Sequence, residues 1–252
     1  MKNQNVRIVL VETSHPGNIG AAARAMKNMC LDQLYLVNPK EFPSAVATAR
    51  ASGADDVLAN VTCCESLQEA VRDCSLVVGA SARLRSVDWP ELTPRQCAEL
   101  VKVEENNGGV AIIFGREDSG LSNAELDNCQ YLVHIPTNPE YSSLNIAAAV
   151  QVICYELHIA NCCSSEGQES EGGQRATSAQ MEGFFQHMEV SLTEIGFLKP
   201  PSCQKLIRRL RRLYNRARLD ETDINILRGV LSAAQGRKYD WAARKKQESS
   251  SD

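Results

Sequence analysis

The chain has 252 residues, 43% apolar, 23% charged and only 5% aromatic, with a formal net charge of −4. Such values fit a soluble globular protein with an aliphatic, alanine-rich core, of one large domain or one medium and one small. The acidic balance excludes nucleic-acid binding over the whole surface, so any RNA contact must be local.

Residues 1–14, MKNQNVRIVLVETS, hold an apolar run too short for a signal peptide, and no small-residue cleavage site follows. No run approaches the roughly 18 apolar residues of a membrane helix. A cytoplasmic protein without a membrane partner is expected. Val6–Val11 reads as a buried strand, and residues 18–30 as a helix with Ile19, Ala22, Ala23, Met26 and Met29 on one face. Residues 34–37 read as a strand closed by Asn38-Pro39. Further strands are expected at 76–78, 110–114 and 132–135, and helices at 66–73, 94–103 and 123–128. Residues 142–160 read as a long apolar helix. Strands alternating with helices imply an α/β fold with a mainly parallel sheet covered on both faces. In such sheets ligands sit beyond the carboxyl ends of the strands.

Residues 162–178, CCSSEGQESEGGQRATS, break the pattern and read as a flexible linker. An amphipathic helix over 179–196, a stop at Lys199-Pro200-Pro201, a basic helix over 203–218 and a helix over 221–236 follow. The expected organisation is a domain over 1–161, a linker over 162–178, a helical extension over 179–236 and a polar tail over 237–252. Ten cysteines and four histidines are scattered or adjacent, with no C-x-x-C. No metal site is expected, and most cysteines read as small buried hydrophobes in a reducing compartment.

Four junctions rich in Gly, Ala or Ser follow strand candidates: residues 14–20, 79–83, 115–120 and 135–145. Such residues let backbone approach a ligand closely, and together the four could frame a pocket of N–H and C=O groups. The first lacks G-x-G-x-x-G, and no acid follows the second strand, which argues against a dinucleotide. The third, GREDSG, has the glycine spacing of a phosphate-cradling loop, with Ser122 two residues on. Leu121 stands in the lysine position, and Glu117 and Asp118 outnumber Arg116. A nucleoside triphosphate would meet more negative charge than positive there. Arg24, four residues after Gly20, reads either as a solvated arginine or as one aimed at a phosphate or carboxylate. The basic helix carries Lys205, Arg208, Arg209, Arg211, Arg212, Arg216 and Arg218, with Leu206, Ile207, Leu210, Leu213 and Tyr214 between them. Its arginine density favours an RNA backbone. The alternatives are a solvated face paired with acids of neighbouring helices, and an interface with a partner protein.

Three stretches in order resemble a known family. Asn18-x-Gly20-x-x-x-Arg24, Phe114-Gly115-x-Glu117-x-x-Gly120-Leu121 and Ile135-Pro136 with Ser142-Ser143-Leu144-Asn145 resemble the motifs of the SpoU/TrmH-type RNA 2′-O-ribose methyltransferases of the SPOUT superfamily. The resemblance runs over about residues 5–160 and is specific as a triplet. VRIVLVETSHPGNIGAAARAMKNM, LVVGASARLRSVDWP, NPEYSSLNIAAAVQVICYE and RRLYNRARLDETDINILRG are similar to the TrmJ subfamily, bacterial tRNA methyltransferases that act at nucleotide 32. Cys30 departs from the pattern, standing where a glycine often closes the first motif, and Ile135-Pro136-Thr137 varies in the subfamily.

The resemblance implies an α/β SPOUT domain with a C-terminal trefoil knot, a homodimer, and S-adenosylmethionine bound in a bent form without metal. That cofactor carries a sulfonium cation and no phosphate, which suits a loop without lysine. Gly115, Ile135, Ser142, Ser143 and Leu144 would hold it, with Ala80, Ser81 and Ala82 completing the pocket. Glu117 would organise the loop or pair with Arg24. Arg24 would be catalytic. A guanidinium titrates at about 12 or higher and is a poor base, so Arg24 would grip the target phosphate and stabilise the developing alkoxide. Ser142 and Asn145 would orient the ribose. Lys205, Arg208, Arg209, Arg211, Arg212 and Arg216 would contact tRNA. A ribosomal RNA 2′-O-methyltransferase of the same family and a non-catalytic RNA-binding protein are the competing readings.

Overall fold

The computed structural model describes residues 5–82, 89–162, 175–198 and 203–236. Arg83, residues 163–174 of the expected linker, the Lys199-Pro200-Pro201 stop and the tail from 237 lie outside these described residues.

The strands are β1 (Val6–Val11), β2 (Gln33–Val37), β3 (Thr62–Cys64), β4 (Cys74–Ala80), β5 (Glu91–Leu92), β6 (Gly109–Phe114) and β7 (Tyr131–Val133). They pair in the order β3-β2-β1-β6-β4-β7-β5, parallel throughout. Ile8 and Leu10 of β1 face one core, Val9 and Val11 the other. Burial on both faces is why these strands read as continuous apolar runs rather than alternating ones.

The helices of the first part are α1 (Pro16–Asn28), α2 (Ala45–Ala51), α3 (Asp55–Ala59), α4 (Leu67–Val71), α5 (Pro94–Glu104), α6 (Asn123–Leu126) and α7 (Ile146–Cys162). α1, α2, α3, α5 and α7 bury their apolar residues on one face of the sheet, α4 and α6 on the other. α8 (Ser178–Glu194), α9 (Gln204–Ala217) and α10 (Glu221–Ala234) follow. They hold a small core of their own with Phe184 at its centre, its ring edge-on to Tyr214 at 4.9 Å. α8 packs on α4 and β4, so the extension lies over the second face.

Local chemistry explains where the observed elements depart from expectation. α1 begins at Pro16, before the expected 18, because the His15 ring accepts from Gly17 N at 3.0 Å and proline suits a first turn. α7 begins at Ile146, not 142. Asn145 Oδ1 accepts from Ala147 N at 2.9 Å there, leaving residues 142–144 in a loop. The expected linker is ordered at its end: Ala176 N donates to Leu219 O at 3.0 Å, and the Thr177 capping box starts α8.

Candidate active site

β4, β7 and β6 are neighbours in the sheet, and the segments at their carboxyl ends frame one cleft of about 250 Å³. The cleft is lined by all eight residues expected to hold the cofactor: Ala80, Ser81 and Ala82 after β4, Gly115 after β6, Ile135 after β7, and Ser142, Ser143 and Leu144 before α7. Phe114, Val133, Ile146 and Ala149 add apolar wall, and Glu117 and Asp118 add acidic groups. His134 fixes one side, its Nδ1 lying 3.1 Å from the Ser81 carbonyl oxygen.

The loop after β6 is a self-closing turn. Arg116 N donates to Gly120 O at 3.2 Å, and Gly120 N donates to Arg116 O at 2.9 Å. A Cβ on Gly115 would lie 2.2 Å from the Gly120 carbonyl carbon, and Gly120 has a φ of +70°. The two glycines therefore serve closure of the loop on itself, with phosphate-loop spacing and a different purpose. The Arg116 guanidinium is already claimed. It donates to Glu12 at 2.8 and 2.6 Å and to Glu125 at 3.1 and 3.0 Å. These hydrogen bonds, that to Glu12 above all, hold its proton more tightly than in a free guanidinium. Glu12 in turn lies below the ordinary carboxylate value, chiefly through the hydrogen bond from Arg116. With Arg116 neutralised by Glu12 and Glu125, the loop's own Glu117 and Asp118 leave net negative charge at the cleft.

Glu117 joins this loop to the first junction. It accepts from Ser14 N and Oγ, at 3.1 and 3.0 Å to the same oxygen, from His15 N at 3.4 Å and from Asn18 Nδ2 at 2.9 Å. Burial opposes its charge, but these hydrogen bonds outweigh burial and hold it below the ordinary carboxylate range. Asn18 Oδ1 accepts from Asn145 Nδ2 at 3.0 Å. A side-chain relay, Glu117 to Asn18 to Asn145, thus connects all three motifs. Asn145 has partners at both ends of its amide.

Of the two alternatives for Glu117 the structure shows the first: it organises the loop, and it forms no pair with Arg24 among the described residues. One expectation needs correction. The first junction does not line the cleft; it braces it from behind through Glu117. Its Gly20 is there for helix packing, because a Cβ would lie 2.0 Å from the Ala47 carbonyl oxygen on α2. Arg24 is exposed, between buried Ala23 and Ala25, and makes no hydrogen bond or ion pair among the described residues. Its guanidinium is available to a ligand from outside.

The basic residues of the extension divide into two sets. Arg208 pairs with Asp127 at 2.8 Å, Arg211 with Glu182 through two hydrogen bonds of 2.8 Å, and Arg218 with Glu104 at 2.7 Å. Arg211 also lies over the Phe185 ring at 4.6 Å, and Arg212 over the Trp89 ring at 5.0 Å. Lys205, Arg209 and Arg216 are exposed and have no such partner among the described residues. Arg209 and Arg216 border a cleft of about 620 Å³ floored by Trp89, Leu206 and Leu213.

The buried cysteines fit their reading as hydrophobes, since burial pushes the Cys74 thiol up to about 11 and those of Cys97 and Cys154 up to about 12. Among the described residues no group of three or more His, Cys, Asp or Glu is placed to hold a metal ion, and no helix is long and apolar enough to cross a membrane.

Comparison with known proteins agrees with this geometry. Residues 5–155 match the SpoU rRNA Methylase family, and residues 179–249 match the C-terminal domain of tRNA methyltransferase TrmJ. The chain is 50% identical over 233 residues to a tRNA (cytidine/uridine-2′-O-)-methyltransferase TrmJ of Pectobacterium atrosepticum, covering 92% of this chain and 97% of the relative. It is 48% identical over 241 residues to a tRNA (cytidine/uridine/adenosine-2′-O-)-methyltransferase TrmJ of Pseudomonas aeruginosa, covering 91% and 93%. The crystal structure of TrmJ from Z. mobilis ZM4 superposes with a TM-score of 0.80 at 38% identity, covering 90% of this chain and 97% of that one.

Proposed function

The chain belongs to the SpoU rRNA Methylase family, and we propose that it is a tRNA methyltransferase. It methylates the ribose 2′-hydroxyl of cytidine or uridine at nucleotide 32 of the anticodon loop. The observation that carries this is the likeness, over nearly the whole of both chains, to methyltransferases of that name. Position 32 rests on the resemblance to the subfamily.

The cleft suits S-adenosylmethionine. Small residues admit an adenosine against backbone, apolar walls desolvate it, and the net negative loop favours a sulfonium cation while offering nothing to a phosphate. When bound, the cofactor would supply an electrophilic methyl group. The remaining work falls to the chain. Gly115, Ile135, Ser142, Ser143 and Leu144 hold the cofactor, and Ala80 to Ala82 close its other side. Arg24 grips the target phosphate and stabilises charge developing on the 2′-oxygen. Ser142 orients the ribose, and Asn145 acts with it by holding Asn18 and the start of α7. Positioning and electrostatics supply most of the acceleration.

The active unit is a homodimer. α7 is apolar around most of its circumference; one side packs on α1 and α5, leaving Tyr155 and Ile159 exposed. A second copy would cover them. The fold carries a trefoil knot, a reading that rests on the resemblance to the SPOUT superfamily. The first domain ends with α7 at Cys162, and the helical extension begins by Arg175, four residues before the expected 179; the protein is cytoplasmic.

The test is transfer of labelled methyl from S-adenosylmethionine to unmodified tRNA transcripts, with nuclease mapping of the product. Ribose 2′-O-methyl at nucleotide 32, lost in Arg24→Ala while cofactor binding persists, is the expected result. Label in ribosomal RNA alone would move the substrate. Cofactor binding without transfer to either RNA would leave a binding protein.

A further inference from the structure

α6 is a single turn with a different partner at each end. At its start, Glu125 Oε2 accepts from Ser122 N at 2.6 Å in a capping box, and both oxygens take the Arg116 fork. Arg116 and Gly120, which line the cofactor cleft, are thereby fixed to the helix. At its end, Asp127 Oδ2 accepts from Arg208 Nε at 2.8 Å, and the Asp127 carbonyl accepts from Asn215 Nδ2 at 3.1 Å. Arg208 and Asn215 both belong to α9. Between the two ends Leu126 is wholly buried. The turn cannot tilt at one end without moving the other, because its middle is packed into the sheet's second core.

The Asp127 pairing is enclosed. Its side chain is 12% exposed, Asn215 is 4% exposed, and Asp127 Oδ1 is buried without a hydrogen-bond partner. A carboxylate in such a place depends on its one guanidinium, and removal of that partner leaves a buried charge unmatched. α9 also carries Lys205, Arg209 and Arg216 exposed to solvent, so a single rigid helix presents cations outward and docks inward on α6.

We propose that Asp127 is a positioning residue for the cofactor cleft, transmitting the docking of α9 through α6 and the Glu125–Arg116 clamp to the loop at 115–121. The cleft and the outer face of α9 are then linked: what α9 binds changes how tightly the loop is held, and an occupied cleft changes α9 in return. The inference rests on the cofactor reading of the cleft for its consequence, but not for its structural content.

The experiment uses the full chain and two readouts. Hydrogen exchange reports protection of backbone amides at 115–122, and calorimetry reports S-adenosylmethionine affinity. Asp127→Asn and Arg208→Gln should each speed exchange of that segment by about fivefold or more and weaken the cofactor by a like factor. The double variant should be no worse than the stronger single, because either change alone already breaks the same ion pair. Arg208→Lys, which keeps the charge, should recover part of the protection. Arg211→Gln, which breaks a pair inside the extension, should leave the segment unchanged. Wild-type exchange at 115–122 in both Asp127→Asn and Arg208→Gln would overturn the proposal. So would equal loosening by Arg211→Gln, which marks general destabilisation. If Asp127→Asn fails to fold, Arg208→Gln and Arg208→Lys decide alone. A wild-type chain that does not bind S-adenosylmethionine would count against the proposed function, while the exchange data would still judge this inference.

Discussion

Asn18 on α1 and Glu117 in the loop after β6 meet at 2.9 Å although they stand 99 positions apart in the chain. Together with the bonds from Ser14 N and His15 N, this hydrogen bond holds a carboxylate at the start of α1, where unsatisfied N–H groups carry partial positive charge. The contact ties the helix bearing Arg24 to the loop that lines the cleft. Neither residue needs to touch substrate for the pair to matter.

Replacement of Glu117 by Gln should therefore cost stability and cofactor affinity together. Hydrogen bonds to a charged group contribute about 1.5–3 kcal/mol, and partial exposure reduces the expected loss to about 1 kcal/mol. The pH dependence has a definite sign. The folded value lies below the ordinary 4.5, so the contribution is complete above that pH and fades as pH falls through the folded value. Thermal melts of wild type and Glu117→Gln from about pH 3.5 to about pH 7 should converge on acidification. A constant gap would show that the charge is not what stabilises.

Cys30 sits at the position after the C-cap of α1 with φ +60°, the left-handed region. Cys30 N donates to Lys27 O at 3.2 Å and Leu31 N to Met26 O at 3.0 Å, which is the Schellman pattern that glycine favours. A side chain in that region costs about 1–2 kcal/mol, and the extra freedom of an unfolded glycine takes back about 0.5–1 kcal/mol. Cys30→Gly should thus stabilise by about 0.5–1 kcal/mol in urea unfolding and leave methyl transfer unchanged. A loss of stability would mean that the exposed thiol makes an interaction of its own.

Gly20 and Gly183 should respond to alanine with opposite signs. At Gly20 the new methyl would meet the Ala47 carbonyl at 2.0 Å, and overpacking costs about 1–3 kcal/mol. The upper end is expected, since backbone rather than a side chain must give way, and activity should fall because α1 carries Asn18 and Arg24. At Gly183, inside α8, nothing lies within 4 Å of the added atom. Helix propensity there should add about 1 kcal/mol. Urea midpoints of the two variants on either side of wild type would bear this out.

Much of the fold is legible in the chain because the signals are local. Strands buried on both faces are short apolar runs, and β1 has the limits that its sequence pattern predicts. The cleft residues are legible because their motifs are contiguous in sequence. The brace is not. Glu117, Asn18 and Asn145 come from three distant segments, and nothing in spacing says that their side chains meet. α2, α3, β3 and β5 escape sequence reading for a different reason: each is too short to show a period, and α2 buries only Ala47 and Ala51. The roles of the arginines are hidden too. One run of similar residues divides by partners, Asp127, Glu182 and Glu104, that only the fold supplies.

That division makes the arginines of α9 separable by experiment. Lys205, Arg209 and Arg216 are exposed and have no partner among the described residues. Their joint change to Gln should weaken tRNA binding and lower the salt dependence of the binding constant by about 0.7–0.9 for each phosphate no longer neutralised. Melting temperature should stay near wild type, because exposed charges contribute little to folding. Arg211→Gln should do the reverse. It gives up a two-pronged pair with Glu182 and a stack on Phe185, so the extension should lose stability while the salt slope holds. Filter binding over a range of salt and thermal melts on the same preparations read both quantities. If the triple variant binds tRNA as wild type does at every salt, α9 is not the RNA face, and its exposed cations serve a different partner or solvent alone.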